Sequence, residues 1–224
     1  MKKIYGILIL IIIILLIFIL IKNNYFTTSP IVSPDNQSGA KNNQPAASFT
    51  RPAENPDIFT PPLTRAAERV TKKYFGMYIT PGNSPLSPER FTGYHTGTDF
   101  EIFPNELDIA VAVRAICDGV LKLKEYAGGY GGLAVEACEL KGEPITVIYG
   151  HLKLLSISAE NGDSLKTGDV IGILGADQSQ ETDYERKHLH LGIHKGTEIN
   201  IRGYVATEAE TENWLDPCQY VCGS

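Results

Sequence analysis

Apolar periodicity changes twice along this chain. From Ile4 to Ile21 the run IYGILILIIIILLIFILI is continuous, with no charge before Lys22. As a helix it would span about 27 Å, close to the hydrocarbon thickness of a bilayer. The following KNNYFTTSP has no small-x-small cleavage pattern, so residues 1–22 are expected to be an uncleaved transmembrane anchor. Lys2 and Lys3 place its N-terminus on the cytoplasmic side, which puts everything after Lys22 outside, in a periplasm or at a cell surface.

Residues 23–62 show no period at all. They hold seven of the 13 prolines, with many Asn, Ser and Thr, a composition that buries too little apolar surface to order itself. A linker of this length reaches on the order of 35 Å. From residue 63 onward a third regime begins. LTRAAERVTKKY predicts a short helix, with Thr64 as its cap and Ala66, Ala67 and Val70 on its apolar face. The segments DIAVAVRAI, DGVLKLKEY, LAVEACEL, ITVIYGHLKLLSI, DVIGILG, LHLGIHKG and INIRGYV are short β-branched runs punctuated by Gly, Asn or Asp. Residues 63–224 are therefore expected to be one mainly β domain, and the Gly-rich EYAGGYGG a hairpin turn between two of its strands.

Cysteine and charge narrow the setting. All four cysteines, Cys117, Cys138, Cys218 and Cys222, lie in the exported part, where an even count points to disulfides. Three pairings are open. Cys117–Cys138 would bridge two strands and Cys218–Cys222 would close a small loop. A zinc site is the alternative use, though no C-x-x-C pair supports it. Residues 63–224 carry 15 Lys+Arg against 23 Asp+Glu, a net −8 that argues against a nucleic acid partner.

Candidate chemistry sits in histidine, of which the chain has only five. In ERKHLHLGIHKG, His188 and His190 alternate along a strand and project from one face with Cα atoms about 7 Å apart. H-x-H alone is weak evidence for a metal. In FTGYHTGTDFEI, His95 and Asp99 stand four apart with poor helix formers between them. A straight strand would separate them by about 13 Å, so a turn leading into a strand, with Gly97 allowing the bend, is expected. His95, Asp99 and His190 together offer two imidazoles and a carboxylate, a set suited to Zn²⁺ with a position left for water. His188 and His151, in VIYGHLKLL, are candidates for moving protons. Any of Tyr78, Tyr94, Tyr130 and Tyr149 could donate a hydrogen bond to a developing oxyanion.

HTGTD, YGHL and HLH stand in the order H-x-x-x-D, Y-x-H-L, H-x-H, with NGDSLKTGDVIGILG between the last two. This resembles the lysostaphin/LytM-type zinc metallopeptidases, mostly endopeptidases of bacterial cell-wall peptides. The upstream KYFGMYITP is similar to that domain's opening strand, and the resemblance covers about residues 68–200. It implies an antiparallel β-sheet or barrel-sandwich-like domain with an open groove. One zinc would be held by His95, Asp99 and His190, and His188 and His151 would be catalytic. The implied activity is zinc-dependent hydrolysis of peptidoglycan stems or cross-bridges. A non-catalytic module that binds wall peptide or activates an amidase is the alternative use of the fold. ADQSQETDYERK is longer and more charged than the turn expected before H-x-H and should line the groove. His194 lies beyond the motif and is expected beside the site or at the surface.

Overall fold

The computed structural model describes residues 59–223. The anchor expected over 1–22 and most of the linker expected over 23–62 lie outside the described residues. Among these residues no helix is long and apolar enough to cross a membrane.

The architecture is mainly β and antiparallel. A one-turn α1 (Ala66–Arg69) leads to β1 (Tyr78–Ile79), β2 (Gly93–His95) and β3 (Gly97–Glu101). β4 (Ala112–Arg114), β5 (Gly119–Ala127), β6 (Gly131–Leu140) and β7 (Glu143–Leu152) follow, then β8 (Ser164–Leu165) and β9 (Val170–Ile173). β10 (His188–Lys195), β11 (Tyr204–Val205), β12 (Trp214–Leu215) and α2 (Cys218–Val221) complete the chain. The main seven-stranded sheet runs β12-β10-β7-β6-β5-β8, with β3 also paired to β10. β1-β2-β11 and β4-β9 form smaller sheets.

Period-two alternation assigns the two faces of the main sheet. Leu189, Leu191 and Ile193 of β10 join Ile145, Val147 and Tyr149 of β7 in the larger apolar core. The intervening residues His188 and His190 are turned to the other face, where Tyr130, Leu133, Ile148 and Trp214 form a second cluster.

The helix expected over 63–74 is reduced to a single turn. Its cap is Arg65 in a left-handed conformation, not Thr64. Tertiary partners override propensity here. Arg69 Nε donates to Thr64 O, and its Nη atoms reach Glu101 O and the Glu106 carboxylate. Beyond it, Lys73 O accepts from Asp99 N at 2.9 Å, which draws the segment alongside β3.

The EYAGGYGG turn joins β5 to β6 as expected, with Tyr130 N donating to Ala127 O at 3.1 Å. A Cβ on Gly132 would lie 1.9 Å from Leu152 O, so β6 enters the sheet at a distance only glycine permits. Gly132→Ala should lower unfolding free energy by about 1–3 kcal/mol or more, because the clashing atom is backbone. Urea denaturation of the variant, with an unchanged midpoint as the contrary result, checks this. The cysteines pair as Cys117–Cys138 and Cys218–Cys222, leaving no free thiol among the described residues.

Candidate metal centre and catalytic cleft

His95 ends β2, and Asp99 lies within β3 after the chain has changed sheets at Thr96. Thr96 fixes that corner through its backbone N to Gly203 O and its hydroxyl to Arg202 O at 2.6 Å. Gly97 does not supply the bend by positive φ, as the sequence had led one to expect. Its role is space: a Cβ there would lie 2.6 Å from His190 Nε2 and 2.5 Å from Leu191 O. In the β3–β10 register Asp99 faces His190 and Glu101 faces His188.

His151 reaches the same face by a different route. Ordinary alternation along β7 would send it with Val147 and Tyr149 into the core. Instead the register with β6 shifts between Gly132 and Leu133, and His151 adopts φ 64°. This bulge turns the ring back over the cleft, to a centroid distance of 4.2 Å from His188.

Main-chain carbonyls orient three of the rings. His95 Nδ1 donates to Tyr74 O at 3.2 Å, His151 Nδ1 to Thr182 O at 3.2 Å and His188 Nδ1 to Arg186 O at 2.7 Å. A carbonyl can only accept, so each Nδ1 carries a proton, and a ring in its neutral form then has a lone pair at Nε2. His190 is turned the other way. Its Nδ1 lies 3.1 Å from both Asp99 Oδ1 and His95 Nε2, and the last two are 3.3 Å apart. Its Nε2 faces the Tyr130 hydroxyl at 3.4 Å.

Three buried atoms that can each ligate a metal thus converge, and His95 has committed its Nδ1 proton to Tyr74. The donor set fits zinc: two imidazole nitrogens and one carboxylate oxygen, all within 4.8 Å of one another. The local electrostatics agree. Burial acts to raise the Asp99 carboxyl, but His188 and His95 outweigh it and hold it well below the usual carboxylate range. Burial brings His190 down to about 4, against the opposing pull of Asp99. Burial, reinforced by His188, keeps His151 well below the ordinary imidazole value.

His95, Asp99, His151, His188 and His190 all line one cleft of about 370 Å³. His194 does not. It packs edge-on against Trp214 at 4.8 Å, with Asn200 Nδ2 at 3.4 Å from its Nε2. Of the four tyrosines considered from sequence, Tyr130 alone lines the cleft. Tyr149 points away, donating to Glu136 at 2.7 Å, and Tyr78 and Tyr94 pack on each other at 4.8 Å.

Several cleft residues carried no recognisable signal. Tyr204 lies against the His95 ring at 5.1 Å, and its hydroxyl accepts from Lys73, whose ammonium is paired with Glu89 at 2.6 Å. Phe91 stacks on Tyr204 at 5.1 Å. The charged 176–187 segment, by contrast, was expected to line the groove and does so with Glu185 and Arg186. Its Asp183 carboxylate accepts from both Gly129 N and Arg90 Nη2 at 2.9 Å, joining the hairpin turn and the 84–91 loop at one point.

Residues 93–201 match the family model described as Peptidase family M23. Among solved structures the chain is similar to LytU, at 23% identity, TM-score 0.45, over 66% of this chain and 81% of that one. It is also similar to cbpa from L. salivarius REN, at 26% identity, TM-score 0.47, over 72% and 92% of the two chains. The catalytic domain of the antimicrobial peptidase lysostaphin from Staphylococcus simulans is 21% identical, TM-score 0.45, over 67% and 91%. No curated protein matches the chain.

Proposed function

We propose that this chain, whose residues 93–201 match the model of peptidase family M23, is a zinc metalloendopeptidase hydrolysing peptide bonds in peptidoglycan stems or cross-bridges. The observation that carries the reading is the convergence of His95 Nε2, Asp99 Oδ1 and His190 Nδ1 beside the two further imidazoles in one cleft. The choice of wall peptide as substrate is supported by the motif series from His95 to His190.

Zinc, when bound by His95, Asp99 and His190, would polarise the scissile carbonyl and acidify water. The remaining roles belong to the chain. His188 and His151 present Nε2 lone pairs, their Nδ1 protons being held by Arg186 O and Thr182 O. They are placed to take a proton from water and to return one to the leaving amine. Tyr130, whose hydroxyl is kept protonated by burial and then by Asp99, can donate to the oxygen that gains charge. The proposed organisation is a membrane anchor at 1–22, a linker at 23–62 and the peptidase domain at 63–224, held outside the cytoplasmic membrane.

The test is a digestion. The full chain in detergent, loaded with one equivalent of zinc, is incubated with peptidoglycan, with a chelated sample in parallel, and products are read by mass spectrometry. New amino termini that appear only with metal are the expected result and identify the bond. Intact wall across several cross-link chemistries, with zinc stoichiometrically bound, would count against the reading.

A further inference from the structure

Arg186 lies outside the H-x-x-x-D, Y-x-H-L and H-x-H motifs, in the charged stretch just before β10. Its guanidinium works along two edges. Nη2 donates to Asp99 Oδ2 at 2.8 Å and to Glu101 Oε1 at 2.5 Å, and Nε contacts Glu101 Oε1 and Oε2 at 3.0 and 2.9 Å. The strand register explains the need. Asp99 opposite His190 and Glu101 opposite His188 place two carboxylates and two imidazoles on one face of a strand pair. Glu101 is itself buried, at 8% exposure.

A cation meeting that face without Arg186 would find four carboxylate oxygens near its imidazoles. Such a set favours five or six ligands and harder ions. With Arg186 present, both Glu101 oxygens and the outer oxygen of Asp99 are engaged, and Asp99 Oδ1 alone points to His95 and His190. Lys72, the other cation near Glu101, is 3.4 Å away with its side chain 40% exposed, too solvent-screened to hold the carboxylate by itself.

The geometry points to Arg186 as a positioning residue that withholds Glu101 from the metal and restricts Asp99 to one ligating oxygen. The inference rests on the zinc peptidase reading. Its consequence is a sparse donor set that leaves room at the ion for water and substrate.

Cobalt reports this directly, since Co²⁺ with four ligands absorbs visible light strongly and with five or six weakly. The full chain is loaded with one equivalent of Co²⁺ as wild type, Arg186→Met, and Arg186→Met with Glu101→Gln. Cobalt content is measured beside each spectrum. Wild type should show the intense band. Arg186→Met should hold cobalt with the band weakened severalfold, and the added Glu101→Gln should restore it. Should Arg186→Met not fold, Arg186→Gln is read in the same way. A wild-type spectrum in the single variant, or no recovery in the double variant, overturns the inference. Failure of the wild type to bind cobalt would overturn the metal reading itself.

Discussion

His190→Ala should bring hydrolysis to background and release the metal, whereas His188→Ala should keep the metal and slow hydrolysis by about 10²–10⁴-fold. The difference follows from which atoms converge. His190 Nδ1 lies 3.1 Å from both other proposed ligand atoms, so its loss leaves one imidazole and one carboxylate oxygen to hold an ion. His188 approaches only the outer oxygen of Asp99, at 3.3 Å, and its loss removes a proton carrier while the three converging atoms stay in place. His151→Ala belongs with His188→Ala, because its nearest ring partner is His188. Zinc content after dialysis, measured beside turnover, separates the classes. Stoichiometric zinc in His190→Ala, or its loss from His188→Ala, would reverse the assignment of ligand and base.

Glu136 should make the protein lose about 3 kcal/mol of stability as pH rises from about 4.5 to about 7. This carboxyl is fully buried on β6, and its Oε1 has no hydrogen-bond partner among the described residues. Burial pushes its pKa up to about 7; the Tyr149 hydroxyl opposes that rise, and Asp118 and Asp169 add to it. Between the unfolded and folded values the native state holds a proton that the unfolded chain has released. Its contribution is therefore complete below the unfolded pKa and disappears as pH climbs through the folded one. Asp99, His151 and His190, all lowered, contribute the opposite slope. The informative quantity is thus the difference between wild type and Glu136→Gln in metal-free protein. Denaturation from pH 4 to 8 should show the Gln variant gaining on wild type by that amount. Parallel curves would mean that Glu136 is ionised in the folded protein.

Much of this centre could be read from residue order, for reasons that differ by element. His188 and His190 were legible because a strand has period two and their neighbours Leu189 and Leu191 are apolar. The separation of His95 from Asp99 by a corner followed from the length of a straight strand, but the reason for Gly97 did not. That reason is an imidazole arriving from β10, nearly a hundred residues later. His151 shows the limit of alternation, since its bulge depends on pairing with β6 and no local pattern marks it. Arg186 and Lys73 were hidden by type. Charged residues in charged stretches look solvated until a partner such as Asp99 or Glu89 is placed beside them. The helix expected over 63–74 erred in the same way, its basic residues being claimed by distant carboxylates and carbonyls.

The carbonyls of Tyr74, Thr182 and Arg186 that orient His95, His151 and His188 have a consequence for how such a protein can drift. Every residue type carries a carbonyl oxygen, so the tautomers of these imidazoles are insulated from point substitution at the positions that set them. What they require is the path of the chain. Lineages could exchange side chains at those positions and retain the protonation pattern, while a single insertion or deletion in either segment would scramble it. The pattern then depends on loop length more than on loop composition, and the Arg186 guanidinium can serve Asp99 and Glu101 while its own backbone holds the His188 ring.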